Sequence, residues 1–379
     1  MPTDTPNRHR RRLLHALAAV PWWAHATDIP VALAGVRPRP LVFPADHGAH
    51  PDTRIEWWYV TGWLSTAAST AGAGSALAER CGFQVTFFRS RTAVAADQPS
   101  RFAARQLLFA HAALTDLAEG RLRHDQRIAR GGFGIAEAAT DDTALSLRDW
   151  SLGREAHQGG SRYRARLASE SAGFAFDFTF DTTQSVLLQG DAGYSRKGPK
   201  PAQASHYYSQ PQLTVSGTLT REGAAQQVRG TAWLDHEWSD SLLDSSAVGW
   251  DWIGMNLADG SALTAFRLRS ADGSAVYAGG SFRSTGGATR NFSADEVRFV
   301  PGRVWASPTS RARYPVEWTI WTPVGRYTVR SLLDAQELDS RASTGSIYWE
   351  GLSELQDGSG HRIGLGYLEM TGYAGRLSL

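Results

Sequence analysis

The segment Trp233-Leu234-Asp235-His236-Glu237-Trp238 holds the densest run of side chains able to move protons. In an extended strand Asp235 and Glu237 point to one side, roughly 6.6 Å apart. Two carboxyls so placed raise each other's proton affinity, which suits a general acid near neutral pH. His236 stands between them as a third titratable group. Downstream, Gly249-Trp250-Asp251-Trp252 sets tryptophans on one face and a carboxylate on the other. A tryptophan wall suits a large apolar ligand. The catalytic candidates are Asp235, His236, Glu237 and Asp251, expected to face one cavity with Glu56 and Trp250. The competing reading is architectural, with these acids paired to arginines such as Arg89 or Arg267.

Two further clusters supply candidate ligand contacts. Asp46-His47-Gly48-Ala49-His50-Pro51-Asp52 leads into Glu56-Trp57-Trp58-Tyr59. His47 and His50 have a spacing that can bring two imidazoles to one metal, or they cap loop turns; no metal and no cofactor is expected. As a strand, this region puts Glu56 and Trp58 on one face and Trp57 and Tyr59 on the other. A carboxylate among indoles must be paired or functional, because an unpartnered buried charge is costly. The last cluster contains His206, Tyr207 and Tyr208 and closes a Gly/Pro/Lys segment, 190–204, with the chain's two lysines, Lys197 and Lys200. That segment is expected to be exposed and to form a lid. The ligand-contact candidates are His47, His50, Glu56, Trp57, Trp58, Tyr59, Tyr207, Tyr208, Trp238, Trp250 and Trp252.

The elements that must position these residues read as strands. Phe174, Phe176, Phe178 and Phe180 alternate strictly and should line one interior. Most other segments are short, aromatic or β-branched, and bounded by turn residues. Residues 101–117 fit a helix or a strand equally. The fold class expected is all-β. Trp58 precedes Phe88-Arg89 by 30 residues and Trp252 precedes Phe266-Arg267 by 14; the difference approximates the Ser/Ala/Gly-rich stretch 65–78. This spacing suggests two related β units.

Arg8 to Arg12, an apolar stretch Leu13–Val20 and Ala24-His25-Ala26 follow the grammar of an export signal, of Sec or twin-arginine type. Without residues 1–26 the chain has 39 − 4 = 35 basic and 37 − 1 = 36 acidic residues. No net positive charge then remains to attract a nucleic-acid partner. Cys81 is the lone cysteine, so no intrachain disulfide can form. Gly-x-Ser-x-Gly, His-Glu-x-x-His and Cys-x-x-Cys motifs are absent, which excludes three common hydrolytic and metal architectures.

These clusters, in this order over roughly residues 42–376, resemble the exported AttH-like proteins related to carotenoid 1,2-hydratase. The resemblance implies two lipocalin-like antiparallel barrels, over 42–240 and 241–379, after a signal (1–26) and a proline-rich lead-in (27–41). It also implies a lipophilic, isoprenoid or carotenoid-like ligand and cofactor-free hydratase or hydrolase-like chemistry, with the proton donor among Asp235, Glu237 and Asp251. The carotenoid hydratases carry a Tyr-Asp pair where this chain reads Thr264-Ala265. The alternative expectation is a non-catalytic carrier serving an ABC-type envelope transporter, in the periplasm or cell envelope, with peripheral membrane contact.

Overall fold

The computed structural model describes residues 35–66, 80–94, 98–100, 102–241 and 243–377. The export segment, the start of the lead-in and nearly all of the Ser/Ala/Gly-rich stretch lie outside these. Apart from a short 3-10 turn, Ala45–His47, the regular structure of the described residues is entirely strand.

The first sheet begins with β1 (Ile55–Thr66), β2 (Arg80–Arg91), β3 (Gln106–Asp116), β4 (Arg121–Arg130), β5 (Ala136–Ala138) and β6 (Ala144–Leu147). It continues with β7 (Trp150–His157), β8 (Gly160–Ser169), β9 (Phe174–Asp181), the short β10 (Leu187–Leu188) and β11 (Tyr194–Arg196), β12 (Ala204–Arg221) and β13 (Ala224–Ser239). Strand order is β4-β3-β2-β1-β13-β12-β9-β8-β7-β6-β5. Its edges come together to make a nearly closed barrel: Arg127 of β4 lies 4.5 Å above the Trp150 ring, and Asp125 accepts from Ser169 Oγ at 2.6 Å. The helical option for 101–117 is overturned, because β3 inserts Leu108, Ala110, Ala112 and Leu114 into the barrel core at period two.

The second sheet starts with β14 (Ala247–Leu257), β15 (Ala262–Ser270), β16 (Ala275–Arg283), β17 (Thr289–Phe292) and β18 (Arg298–Pro301). A separate ribbon, β19 (Val304–Ala306) and β20 (Arg313–Pro315), interrupts it. Then come β21 (Glu317–Thr322), β22 (Gly325–Ser331), β23 (Glu337–Ser340), β24 (Ser346–Gln356) and β25 (Arg362–Met370). Its order is β17-β16-β15-β14-β25-β24-β22-β21-β18, with β23 beside β24.

Burial pattern separates the strands that face water from those that face the other barrel. In β9 it alternates, and all four phenylalanines are buried in the first core. In β13 the alternation stops at Ala232, and every residue through Ser239 is buried. The second sheet covers its outer face, and the first sheet in turn covers much of β14, β24 and β25. A β-bulge between Gln210 and Leu213 helps hold the barrels together. It turns Gln212 so that its amide groups bond Asn256 Oδ1, Leu257 O and Ser261 O.

Register relates the two sheets. Across β1 and β2, Glu56 faces Arg89 and Trp57 faces Phe88; across β14 and β15, Asp251 faces Arg267 and Trp252 faces Phe266. The counterpart of Trp252 is therefore Trp57 and not Trp58, because Trp58 points into the first core.

Candidate active site

A cavity of about 250 Å³ lies where the outer faces of the two sheets meet. Trp57, Phe88, Phe109, Trp250, Trp252 and Phe266 form apolar walls, and Tyr59, Tyr207, Asp235 and Glu237 are among the polar groups. The strand periodicity explains who is present. Trp57 pairs with Glu237 and Tyr59 with Asp235 across β1 and β13, and Tyr207 and Ser209 pair with the same two acids across β12. Gly254 makes room for one wall: a Cβ there would sit 2.3 Å from Trp252 Cη2, so only glycine lets that indole lie along its own strand.

Asp235 and Glu237 share a face but not an environment. Asp235 accepts hydrogen bonds from Ser209 Oγ (2.5 Å), Trp233 Nε1 (2.7 Å) and Tyr207 Oη (2.8 Å). Burial pushes its carboxyl up to about 7 despite these donors, and the neighbouring Glu237 adds to the rise. Glu237 instead lies 3.0 Å from Lys197 Nζ and accepts from Ser205. Of the two lysines expected to be exposed, Lys200 is, but Lys197 is only 4% exposed. Its ammonium sits 4.2 Å from the Phe266 ring centroid and 4.5 Å from that of Tyr207. A carboxylate and two aromatic faces replace the water it gives up.

His236 and Asp251 do not face the cavity. His236 lies between Asp235 and Glu237 in sequence, so the pleat turns it into the first barrel. There its Nε2 is 2.9 Å from Glu56 Oε1, and Nδ1 is 3.2 Å from Tyr208 Oη. Burial lowers its pKa to about 4, so the ring is neutral and donates. Glu56 also takes His50 Nδ1 at 2.6 Å and Arg89 Nε at 2.7 Å, and these partners hold its carboxylate well below the usual range against the cost of burial. His50 reaches Asp46 through its other nitrogen at 2.8 Å and stacks on Trp238 at 3.8 Å. His47 bonds Tyr208 Oη at 2.7 Å. The imidazoles of His47 and His50 thus serve different partners. His50, Glu56 and His236 bring potential metal-ligand atoms within 4.8 Å of one another, but both rings already bond one Glu56 oxygen and Arg89 supplies the positive charge. Trp58, Tyr208 and Trp238 are buried in this first core, away from the cavity; Glu56 meets the cavity, with its carboxylate spent on these internal bonds.

Asp251 is the same device in the second barrel. Arg267 Nε lies 2.7 Å from Oδ2, Tyr373 Oη donates to Oδ1 at 2.8 Å, and Arg267 stacks 4.7 Å from the Trp318 centroid. Glu56 with Arg89 and Asp251 with Arg267 thus form the arginine pairs that the architectural alternative expected.

Sequence reasoning missed the second sheet's contribution. Glu350 and Glu369 face each other across β24 and β25 and both reach the cavity. Burial raises both carboxyls above their ordinary range, with Glu369 adding to the rise at Glu350, and Asp235, Glu237 and Asp251 adding to it at Glu369 against a bond from Trp250. Gln84, from the first sheet, donates to Glu350 Oε2 at 2.7 Å. The available signal was charge inside an apolar run: Tyr348-Trp349-Glu350 and Tyr367-Leu368-Glu369 repeat the aromatic-acid pattern that drew attention to Trp57 and Glu237.

The chain matches the AttH-like family over residues 34–373. The chain belongs to that family. A crystal structure of an AttH protein from Nitrosomonas europaea is 46% identical and superposes with a TM-score of 0.80, covering 89% of this chain and 98% of that one. A kievitone hydratase structure from Nectria haematococca has 16% identity and a TM-score of 0.65 over 88% of this chain and 93% of its own. Kievitone hydratase of Fusarium solani subsp. phaseoli is 21% identical over 223 residues, which is 56% of this chain and 61% of that protein. The sequence match therefore spans less than two thirds of that relative. The AttH-like fold is lipocalin-like and all-β, as the resemblance implied.

Proposed function

We propose that this AttH-like chain binds a lipophilic molecule between its barrels and adds water to it without a cofactor. The observation that carries this reading is the pairing, on one strand face, of a carboxyl that keeps its proton with a carboxylate beside a lysine. Asp235 delivers its proton to one carbon of a double bond, and the opposite carbon becomes cationic. Trp57, Trp252 and Phe266 offer aromatic faces to that cation. Water forms the new C–O bond, its extra proton passes to Glu237 and from there to solvent, and solvent returns a proton to Asp235. A hydratase relative supports the reaction class, and the apolar walls support the ligand class.

The test uses kievitone in water enriched in oxygen-18. Wild-type protein should yield a product heavier by one labelled water, and Asp235→Asn should lower that rate by about 100-fold or more, as for a lost general acid. Binding without label incorporation would instead favour a carrier, the second reading, which the apolar walls serve equally. We also propose export, with an ABC-type transporter as the carrier's partner. Mature protein in the cell envelope should then begin at Thr27; intact Met1 in the cytosol would overturn it.

A further inference from the structure

The described residues include few buried side-chain atoms without a well-formed hydrogen bond, and three of them line this cavity. Tyr59 Oη, Gln84 Oε1 and Glu350 Oε1 make no hydrogen bond of good geometry, although Tyr59 lies near enough to Glu350 and Thr61 to interact with both. Their residues are 7%, 1% and 2% exposed, and all line the cavity. Buried polar groups are nearly always bonded, so three exceptions at one place point to an external partner. The neighbours are committed elsewhere: Gln84 Nε2 to Glu350 Oε2, and Tyr348 Oη to His111 Nδ1 at 2.8 Å.

We propose that Tyr59, Gln84 and Glu350 form a subsite for a neutral hydroxyl group, phenolic or alcoholic, carried by the lipophilic ligand. A hydroxyl both donates and accepts. Gln84 Oε1 can only accept, whereas the Tyr59 hydroxyl can donate. A carbonyl would leave Gln84 unanswered, and an anion would meet two facing glutamates. Tyr59 and Gln84 come from the first sheet, where Tyr59 is the cross-strand neighbour of Asp235, and Glu350 comes from the second. The subsite rests on the reading of the cavity as a ligand site and adds which ligands fit: amphipathic molecules with a ring-sized apolar body and a hydroxyl.

Equilibrium binding tests this without turnover, so failure here is distinct from failure of the hydratase reading. The probes are 2-naphthol, 2-methylnaphthalene and 2-naphthylmethylammonium, followed by tryptophan fluorescence and calorimetry at pH 6. Wild type should bind 2-naphthol at least about 10-fold more tightly than 2-methylnaphthalene, a typical return for well-made hydrogen bonds. Tyr59→Phe should remove most of that preference while leaving 2-methylnaphthalene affinity within about 2-fold. Because the Tyr59 hydroxyl makes only poorly aligned internal contacts, the same variant should melt close to wild type. Equal affinities of wild type for the two neutral probes, or a Tyr59→Phe loss shared by both, would overturn the proposal. Tighter binding of the ammonium than of 2-naphthol would overturn it in favour of a cation site. The ammonium arm also reads titration around Glu350. Tyr59, Tyr348, Tyr367 and Glu369 face or flank that carboxyl, and Glu369 in turn feels Asp235, Glu237 and Asp251, with Lys197 and Arg267 already paired to Glu237 and Asp251. A hydroxyl subsite keeps its affinity between pH 5 and 6; a cation site gains affinity as pH rises and the carboxyls ionise.

Discussion

The two barrels turn equivalent strands toward the cavity and equip them differently. Glu237 stands across from Trp57, and Glu369 stands across from Trp252. One strand further on, Glu237 meets Tyr207 while Glu369 meets Glu350. Lys197 makes Glu237 half of an ion pair. Another carboxyl faces Glu369, and no ion pair to it occurs among the described residues. Position in the sheet therefore aims a carboxyl, but the group brought up beside it sets whether it holds a proton. On the inner faces the barrels agree, since Glu56 with Arg89 and Asp251 with Arg267 are both buried charge pairs.

The strongest way to break this correspondence is to remove the arginines. Arg89→Met and Arg267→Met should each cost about 3–5 kcal/mol, because each strands a buried carboxylate. Urea unfolding would measure it, and tolerance of one but not the other would end the equivalence. Lys197→Met should cost less, about 1–3 kcal/mol, since Glu237 keeps Ser205 as a donor. It should also make Glu237 resemble Glu369. Adding Glu237→Gln to it should restore much of the loss if the lysine's role is charge pairing. Gly254→Ala drives a methyl against the Trp252 indole and should cost about 1–3 kcal/mol by overpacking, with weaker binding of aromatic probes.

Acidity sharpens the comparison further. Asp235 has a folded pKa of about 7 against an ordinary 3.8, so the folded protein binds the extra proton between those values. Its contribution to stability is full below about pH 4, is lost as pH rises toward about 7 and is flat above that. Glu56 runs the other way, since its carboxyl is depressed; its contribution is present above its ordinary 4.5 and lost as pH falls below it. Thermal melting of Asp235→Asn should thus show a flatter profile between pH 5 and 7 than wild type, as read by circular dichroism. The smallest effect belongs to Glu369→Gln, which removes a repulsion and should raise stability by about 0.5–1 kcal/mol at pH 8. A large loss would show that the bond from Trp250 outweighs the repulsion and would undo the contrast with Glu237.

Local chemistry alone made part of this molecule legible. Period-two patterning in Phe174–Phe180 is a property of one strand, and so is the shared face of Asp235 and Glu237, because the pleat depends only on neighbours in the chain. Carried one step further, the same alternation excludes His236 from the face of its acidic neighbours and Asp251 from that of its tryptophans. Other features depended on contacts between segments far apart. Lys197 reads as an exposed loop cation until the first barrel folds it against Glu237, 40 residues away, under Phe266 of the second. Glu350 and Glu369 are ordinary strand acids until β24 and β25 set them face to face and Gln84 crosses from the other barrel to meet one of them. Side-chain direction followed from sequence because backbone geometry is local; burial, pairing and the retained proton came from tertiary structure, because solvent exclusion and charge interactions act through space.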